Sequence, residues 1–527
     1  MSSSGRWILL LALLGGCGKP PPPRPQDPAL EARRAEARKL LAEAGFPDGK
    51  GFPRLEALYN DAEWHKRIAV AIQSDWKRHL GIDIEVRSEE WKVFLANRGS
   101  GRFQIARGGF TGEYRDPHAF LSLFGRDSGF NSSGWRSDAY DTLLADADAE
   151  VDAAKRLAVL AKAERLLLDE MPVFPVFHYV GHNWLRPFVK GVVPNYRDMH
   201  PMQHVWLEGA GAPRDGVLIF WAGDECASLD PGLSHDMRGL KTAMALFEGL
   251  CNYDPKDASP VPGVAERWDI SPDGRTYTFH LRAAQWSNGD PVTARDFAWA
   301  WRRVVDPETA SNYKDRMYFV KNGRAIARGE KPIGEFGVRA VDDRTFVVEL
   351  EHPAPYFLDL VCLNIFFPVH RATVEKHGKD WTRVENLVHN GPFRLVQWKV
   401  NDRQVFEKNP RWHGASGVKL QKFVWLSGSS PKTGFDLYES GACHWTFVAP
   451  PDRMDEVVGR ADYLGGPYNA SYFYVFNVNV KPLDDPRVRR ALALAIDRRT
   501  ICEKVVKGGE TPADRISPML YPGYAVP

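Results

Sequence analysis

The chain has 527 residues, 44% of them hydrophobic and 26% charged, the ordinary balance of a globular protein. That balance excludes a chain of many membrane spans and a mostly disordered one. Lys and Arg number 69 against 67 Asp and Glu, so the net charge of +2 makes no electrostatic case for nucleic-acid binding. At roughly 150 residues per domain the length suggests two to four domains, and 17 Trp leave material for an aromatic-lined ligand site.

Arg6 precedes an apolar run from Trp7 to Leu14. The run is far shorter than the roughly 20 residues of a membrane span and leads into small residues, the pattern of a secretory signal. Leu14-Gly15-Gly16-Cys17 resembles the bacterial lipobox, whose cysteine becomes a lipidated N-terminus; a plain secretory signal is the alternative. The prolines from Pro20 to Pro25 suit a semi-rigid tether. The expected location is therefore outside the cytoplasmic membrane, periplasm or cell surface, held by a lipid anchor at Cys17. Of the other cysteines, Cys226 and Cys251 are a candidate disulfide in an oxidising compartment, and no Cys/His set has zinc spacing.

The body opens on a helix capped by Asp27 with Pro28 in its first turn and Gly45 at its end. A second helix spans about 61–80, with Trp64, Ile68, Ile72, Trp76 and Leu80 on one stripe. A strand at Ile82–Val86, a helix near 89–97 and a strand at 103–107 follow. One or two helices cover 139–168, and Val173–Val180 reads as an apolar strand broken by prolines. Gly209–Asp215 reads as a linker, and Val217–Phe220 starts a new strand. Strands at 277–281 and 345–350, a capping box at Thr293–Asp296 and a cap-plus-proline start at Asp485-Pro486 complete the pattern of an α/β protein.

Four stretches resemble the extracytoplasmic solute-binding proteins of peptide ABC importers, the oligopeptide-binding family (family 5). Pro262-Gly263-Val264-Ala265-Glu266-Arg267-Trp268 is similar to its PG-x-A-x-x-W signature, and Gln285 to Phe297 to its W-S-D-G-x-P-V-T-A-x-D-F run. Asn390-Gly391-Pro392-Phe393 and Asp485-Pro486-Arg487-Val488-Arg489-Arg490-Ala491-Leu492 match two more motifs. The resemblance implies a two-lobed α/β periplasmic-binding-protein fold of type II, in its large three-domain class, with lobes closing about a hinge. In the family, the material seen here at 217–527 comes first and that at 27–208 follows. The chain therefore reads as a circular permutant joined through 209–215; a gene rearrangement is the plainer alternative. The implied division is a signal peptide at 1–16, a lipidated Cys and tether at 17–26, and a ligand-binding lobe from 27–180 plus 470–527. A second lobe takes 181–247 plus 376–469, and an extra domain 248–375.

The implied function is capture of a short peptide and its delivery to the permease and ATPase subunits of an ABC importer. The protein would act as a monomer, with no catalysis, cofactor, metal or nucleic acid. A peptide brings an ammonium, a carboxylate and a hydrogen-bonding backbone. Ile105 to Tyr114 resembles the family's A-R-x-G-W-C-A-D-Y loop, which puts Glu113 where an Asp receives the amino end and Arg107 where a cation meets a ligand carboxylate. The plainer alternatives are a solvated loop acid and an internal ion pair. Gly109 admits the ligand backbone, and Phe110 stands for the family's Trp. His65 matches a cation for the carboxyl end of longer peptides, with a plain surface histidine as the alternative; Arg98 matches another cation of the pocket, Trp91 a pocket aromatic or a core residue, and Tyr179, Tyr313 and Tyr468 cleft tyrosines. The family's pocket Lys is Val506 here, beside Lys507, and two positions that are paired Cys in some relatives are Thr111 and Ala470. Alternatives on the same fold are a binder of a metal complex, haem or sugar, and a peptide sensor or chaperone. A hydrolase is remote: His178/His182 lie on a strand, and His200/His204 enclose Pro201 and lack the Glu of a zinc-protease motif.

Overall fold

The computed structural model describes residues 27–126, 128–226, 228–234 and 236–526. The signal, Cys17 and the tether lie outside them. The first half runs α1 (Pro28–Glu43), β1 (Leu55–Asn60), α2 (Glu63–Leu80), β2 (Ile84–Glu89), α3 (Trp91–Gly99) and β3 (Ile105–Thr111). It continues through α4 (Asp138–Ala149), α5 (Ala153–Glu170), the long β4 (Val173–Leu185) and β5 (Val217–Trp221). Next come α6 (Met237–Leu246), β6 (Ala265–Ile270), β7 (Thr276–Leu281), α7 (Ala294–Val305), β8 (Val338–Ala340) and β9 (Thr345–Glu349). The last part holds β10 (Phe393–Lys399), β11 (Arg403–Lys408), β12 (Lys422–Leu426), β13 (Trp445–Thr446), β14 (Tyr463–Phe476), α8 (Pro486–Leu494) and β15 (Thr511–Pro512).

Local chemistry accounts for the helix starts. Asp27 accepts from the Ala29 amide, Asp485 from Arg487, and Thr293 with Asp296 closes a reciprocal capping box. The predicted run at 139–168 is two helices, the second capped by Asp152. On α2 the buried face is His65, Ile68, Ala69, Ile72, Trp76 and Leu80. That face packs against α8, where the Trp76 indole donates to the Leu492 carbonyl at 2.8 Å. α1 and α8 also pack together, Arg34 Nε donating to the Ala495 carbonyl at the end of α8 at 3.3 Å.

Eleven strands make one sheet in the order β10-β11-β12-β5-β13-β4-β14-β3-β1-β2, with β15 pairing β4. Two strands run through both of its halves. The early part of β4 and the late part of β14 pair beside β3 (Tyr474↔Phe174, Tyr474↔Arg107); the late part of β4 and the early part of β14 lie beside β13 (Tyr463↔Trp184, Trp445↔Leu185). Segments before and after 209–215 are thus interleaved: β5 sits between β12 and β13. A separate antiparallel sheet, β6-β7-β9-β8, lies within 265–349.

Two expectations are corrected. The strand from Val173 is not broken at its prolines but continues to Leu185: Pro175 forfeits one donor, and the register with β14 slips there, between Tyr472 and Phe473. Cys226 and Cys251 are not joined; both are buried free thiols, as are Cys362, Cys443 and Cys502. Lys507, beside the family's lysine position, ion-pairs with Asp455 at 2.8 Å. Among the described residues no helix is long and apolar enough to cross a membrane.

Candidate functional site

The expected site residues fall into two groups, one at each end of the segment 107–113. The first group lies on one face of the β3–β14–β4 ribbon. Strand alternation puts Arg107, Gly109 and Thr111 on the same side as their partners Tyr474, Tyr472 and Ala470. Thr111 and Ala470, the two positions that are paired cysteines in some relatives, are direct cross-strand partners. Arg107 Nη2 donates to the Tyr179 hydroxyl at 3.3 Å, and its guanidinium lies 5.1 Å from the Tyr472 ring centre and 6.0 Å from that of Trp64. A side chain at 109 would put its Cβ 3.0 Å from Arg107 Nη2, and one at 108 would drive into the Phe473 ring at 2.3 Å. Glycine at 109 therefore keeps the guanidinium accessible, and glycine at 108 lets the sheet pack.

Arg98, at the end of α3, is close enough to Arg107 to feel its charge. Burial first, and Arg107 second, lower the Arg98 pKa to about 10. Neither arginine has an ion-pair partner among the described residues, and the Nε of each is buried without a hydrogen-bond partner. Two desolvated like charges without a counter-ion are costly, and such an arrangement persists where an anion is to be received. His65 completes the group in a different role from the cation expected. It is 3% exposed, its Nδ1 meets the Tyr472 hydroxyl at 3.1 Å, and burial, then Arg107, push its pKa down to about 2. It is a neutral imidazole at every physiological pH. Trp91 does not join the group: as the first residue of α3 it is 48% exposed and stacks on Phe94 with ring centres 5.9 Å apart.

The second group surrounds Glu113. Beyond β3 the chain enters a buried turn whose Gly112 amide donates to the Asn469 carbonyl at 2.7 Å. Glu113 is buried, as a charge-reading role requires, but its carboxylate is already matched. It accepts from the Tyr313 hydroxyl and from both Nε and Nη2 of Arg316, the latter at 3.0 Å. Tyr313 thus stands beside Glu113, in a role that sequence reasoning did not anticipate, and Arg316 was not foreseen at all. Glu113, Arg316 and Phe110 line a cavity of about 1110 Å³ between the 110–148 segment and the 315–352 segment. Phe110 meets Phe120 and Phe130 edge-on, with centres 5.5 and 6.1 Å away. Tyr468 is half-buried on β14, and burial raises its pKa to about 12.

Three of the four histidines considered for metal have structural partners. His178 meets Ser471 at 2.9 Å, His182 meets Tyr463 at 3.0 Å, and His200 meets Asp198 at 2.9 Å. Among the described residues no three His, Cys, Asp or Glu side chains gather as a metal site.

A sheet crossed by two long shared strands, with an unneutralised cation group on one face and a large cavity near its end, defines an α/β protein of the two-lobed solute-binding class. The profile of bacterial extracellular solute-binding proteins, family 5 (middle), matches residues 17–132 and 259–527, and the chain belongs to that family. It is 38% identical over 313 residues to the periplasmic oligopeptide-binding protein OppA of Salmonella typhimurium, covering 58% of this chain and 57% of that one. It is 37% identical over 304 residues to the probable deoxycholate-binding periplasmic protein YgiS of Escherichia coli, covering 56% of each. The chain thus spans a little over half the length of these curated relatives. Among solved structures, the murein tripeptide binding protein MppA of Escherichia coli aligns with a TM-score of 0.53 and 36% identity over 57% of this chain and 60% of that one.

Proposed function

We propose that this chain is an extracytoplasmic, lipid-anchored, non-catalytic binding protein that captures a short peptide by lobe closure and hands it to an ABC permease and its ATPase. One observation carries the reading: the buried guanidiniums of Arg98 and Arg107, which have no carboxylate partner among the described residues, with Tyr179, Tyr472 and neutral His65 beside Arg107. A ligand carboxylate supplies the missing counter-charge through charge-assisted bonds. Relatives named for oligopeptides and for deoxycholate have that group in common among their ligands. Glu113 lies six positions after Arg107, at most about 20 Å of extended chain, which suits a ligand of a few residues bound along β3. Gly109 leaves room for its backbone, with Tyr468 as a wall; Phe110, on the opposite face of β3, walls the cavity beside Glu113.

The domain division and the permuted order belong to the same proposal. The long strands β4 and β14 would be the hinge, with 27–180 plus 470–527 and 181–247 plus 376–469 as the lobes and 248–375 as the extra domain. The packing of α1 on α8 and the insertion of β5 between β12 and β13 support a chain order in which the two family segments are exchanged about 209–215. Native mass spectrometry of the purified protein, followed by identification of the co-purified molecule, tests the function. The expected result is a bound carboxylate-bearing peptide; turnover of a peptide library, or a ligand without a carboxylate, would refute it.

A further inference from the structure

A second group of unpaired cations lies outside the β3–β14–β4 ribbon, where the small sheet meets the connection between β11 and β12. Arg282 directly follows β7, Arg344 is in the turn between β8 and β9, and Arg411 and His413 follow β11. All four line one cavity of about 470 Å³, and no residue of the solute site described above lines it. Its wall is pinned by backbone bonds between the segments. The Leu281 amide donates to the Arg344 carbonyl at 2.8 Å, Ala294 to Asp343 at 2.9 Å and Val292 to Ala284 at 3.0 Å.

The carboxylates nearby are already committed. Asp343, the one acid on this wall among the described residues, ion-pairs at 2.8 Å with Arg295, which does not line the cavity. Asp342 accepts from the Arg344 amide and the Thr345 hydroxyl. Buried Glu248 lies behind His413 and accepts from its Nε2 at 2.7 Å, from the Trp412 indole at 3.1 Å and from Asn252 at 2.8 Å. A guanidinium can only donate, so His413 Nδ1 is the acceptor for Arg282 Nη1, at 3.5 Å, and the ring is neutral. Arg282 therefore has one long bond to an uncharged group, and its Nε is buried without a partner. Arg344 and Arg411 have no ion-pair partner among the described residues. Three guanidiniums on one rigid wall repel one another and hold planar donor forks in surplus; a multivalent oxyanion relieves both. A carboxylate has two oxygens to offer three forks, whereas a phosphate group has enough for each.

We propose that this cavity is an oxyanion site of the phosphate class, read by Arg282, Arg344 and Arg411 and separate from the solute site. The phosphate is either free or the headgroup of a phospholipid, and the test distinguishes the two. Calorimetry on the full chain at fixed ionic strength uses inorganic phosphate and pyrophosphate as probes. Co-sedimentation uses vesicles of phosphatidylcholine with phosphatidylglycerol. Wild type is compared with Arg344→Met/Arg411→Met and with Arg267→Met/Arg371→Met, which removes the same charge from exposed positions outside the cavity. The expected result is saturable binding by wild type that falls about tenfold or more in the cavity variant and changes less than about threefold in the other. Seen with the soluble probes it identifies free phosphate; seen only with vesicles it identifies a headgroup. Absence of saturable binding to every probe, or equal losses in the two variants, overturns the inference. Arg344 and Arg411 are both exposed; should their double variant not fold, Arg344→Gln against Arg267→Gln decides by the same criterion.

Discussion

Arg107→Met separates a ligand-reading cation from a structural one, because the first role puts its loss in binding and the second in stability. In the ligand-free molecule Arg107 makes one hydrogen bond, to Tyr179 at 3.3 Å, and two ring contacts. Their loss costs about 1 kcal/mol for the hydrogen bond and roughly 0.5–1 kcal/mol per ring contact. Against this, methionine keeps the apolar stem against Tyr472 and Trp64, removes a buried Nε without a partner, and relieves Arg98, whose pKa is lowered to about 10 partly by Arg107. The whole Arg98 shift amounts to about 3 kcal/mol, and Arg107 is its smaller cause, so about 1 kcal/mol returns. The net change in stability should lie within about 1 kcal/mol of zero. Binding behaves differently. Removing one partner of a desolvated ion pair costs about 2–5 kcal/mol, roughly 30- to 5000-fold in Kd. Calorimetric titration with the co-purified ligand, beside urea denaturation of the ligand-free protein, reads both quantities. A variant that binds as wild type does, or one that loses several kcal/mol of stability, would show that Arg107 is part of the scaffold and remove the central support of the proposed function.

Two further variants test the frame around the site. Asp359 accepts from the Tyr196 hydroxyl at 3.2 Å, and burial, opposed by Arg197, raises its pKa from 3.8 to about 6. The folded state therefore holds a proton that the unfolded state releases, and stability falls as pH rises from about 4 to 6, by up to about 3 kcal/mol. Asp359→Asn should be the more stable protein at pH 7.5 and lose that advantage at pH 3.5; equal effects at both pH values in urea denaturation would contradict the linkage. Glu164, fully buried on α5, accepts from the Ile516 and Ser517 amides at 2.8 Å each and from the Tyr524 hydroxyl. Glu164→Ala strands two buried amides and should cost about 2–5 kcal/mol, with faster amide exchange in 513–526; a loss below about 1 kcal/mol would mean that this carboxylate does not anchor the C-terminal segment.

The features legible in the sequence were those decided within a few residues. Asp27-Pro28, Asp485-Pro486 and Thr293–Asp296 fix helix starts through bonds spanning two or three positions, and each cap lies where its pattern puts it. The stripe on α2 was legible for the same reason, although His65 rather than Trp64 leads its buried face. The length of β4 was not, because a proline inside an apolar run signals a break locally, while the slipped register with β14 that accommodates Pro175 is supplied from 298 positions away. The site divides along the same line. The motif 105–114 marked Arg107, Gly109 and Glu113, since a strand and its adjoining turn carry their own spacing. It could not show that the counter-charge of Glu113 comes from Arg316, 203 positions distant in a short helical turn. Nor could it show that Arg107 faces Tyr472 on a partner strand, or that burial leaves His65 uncharged. Sequence pattern thus identifies which groups can carry charge. The partners that decide whether a charge is already neutralised arrive through tertiary pairing, and at this site that difference separates Arg107, which has no counter-ion among the described residues, from Glu113, which has one.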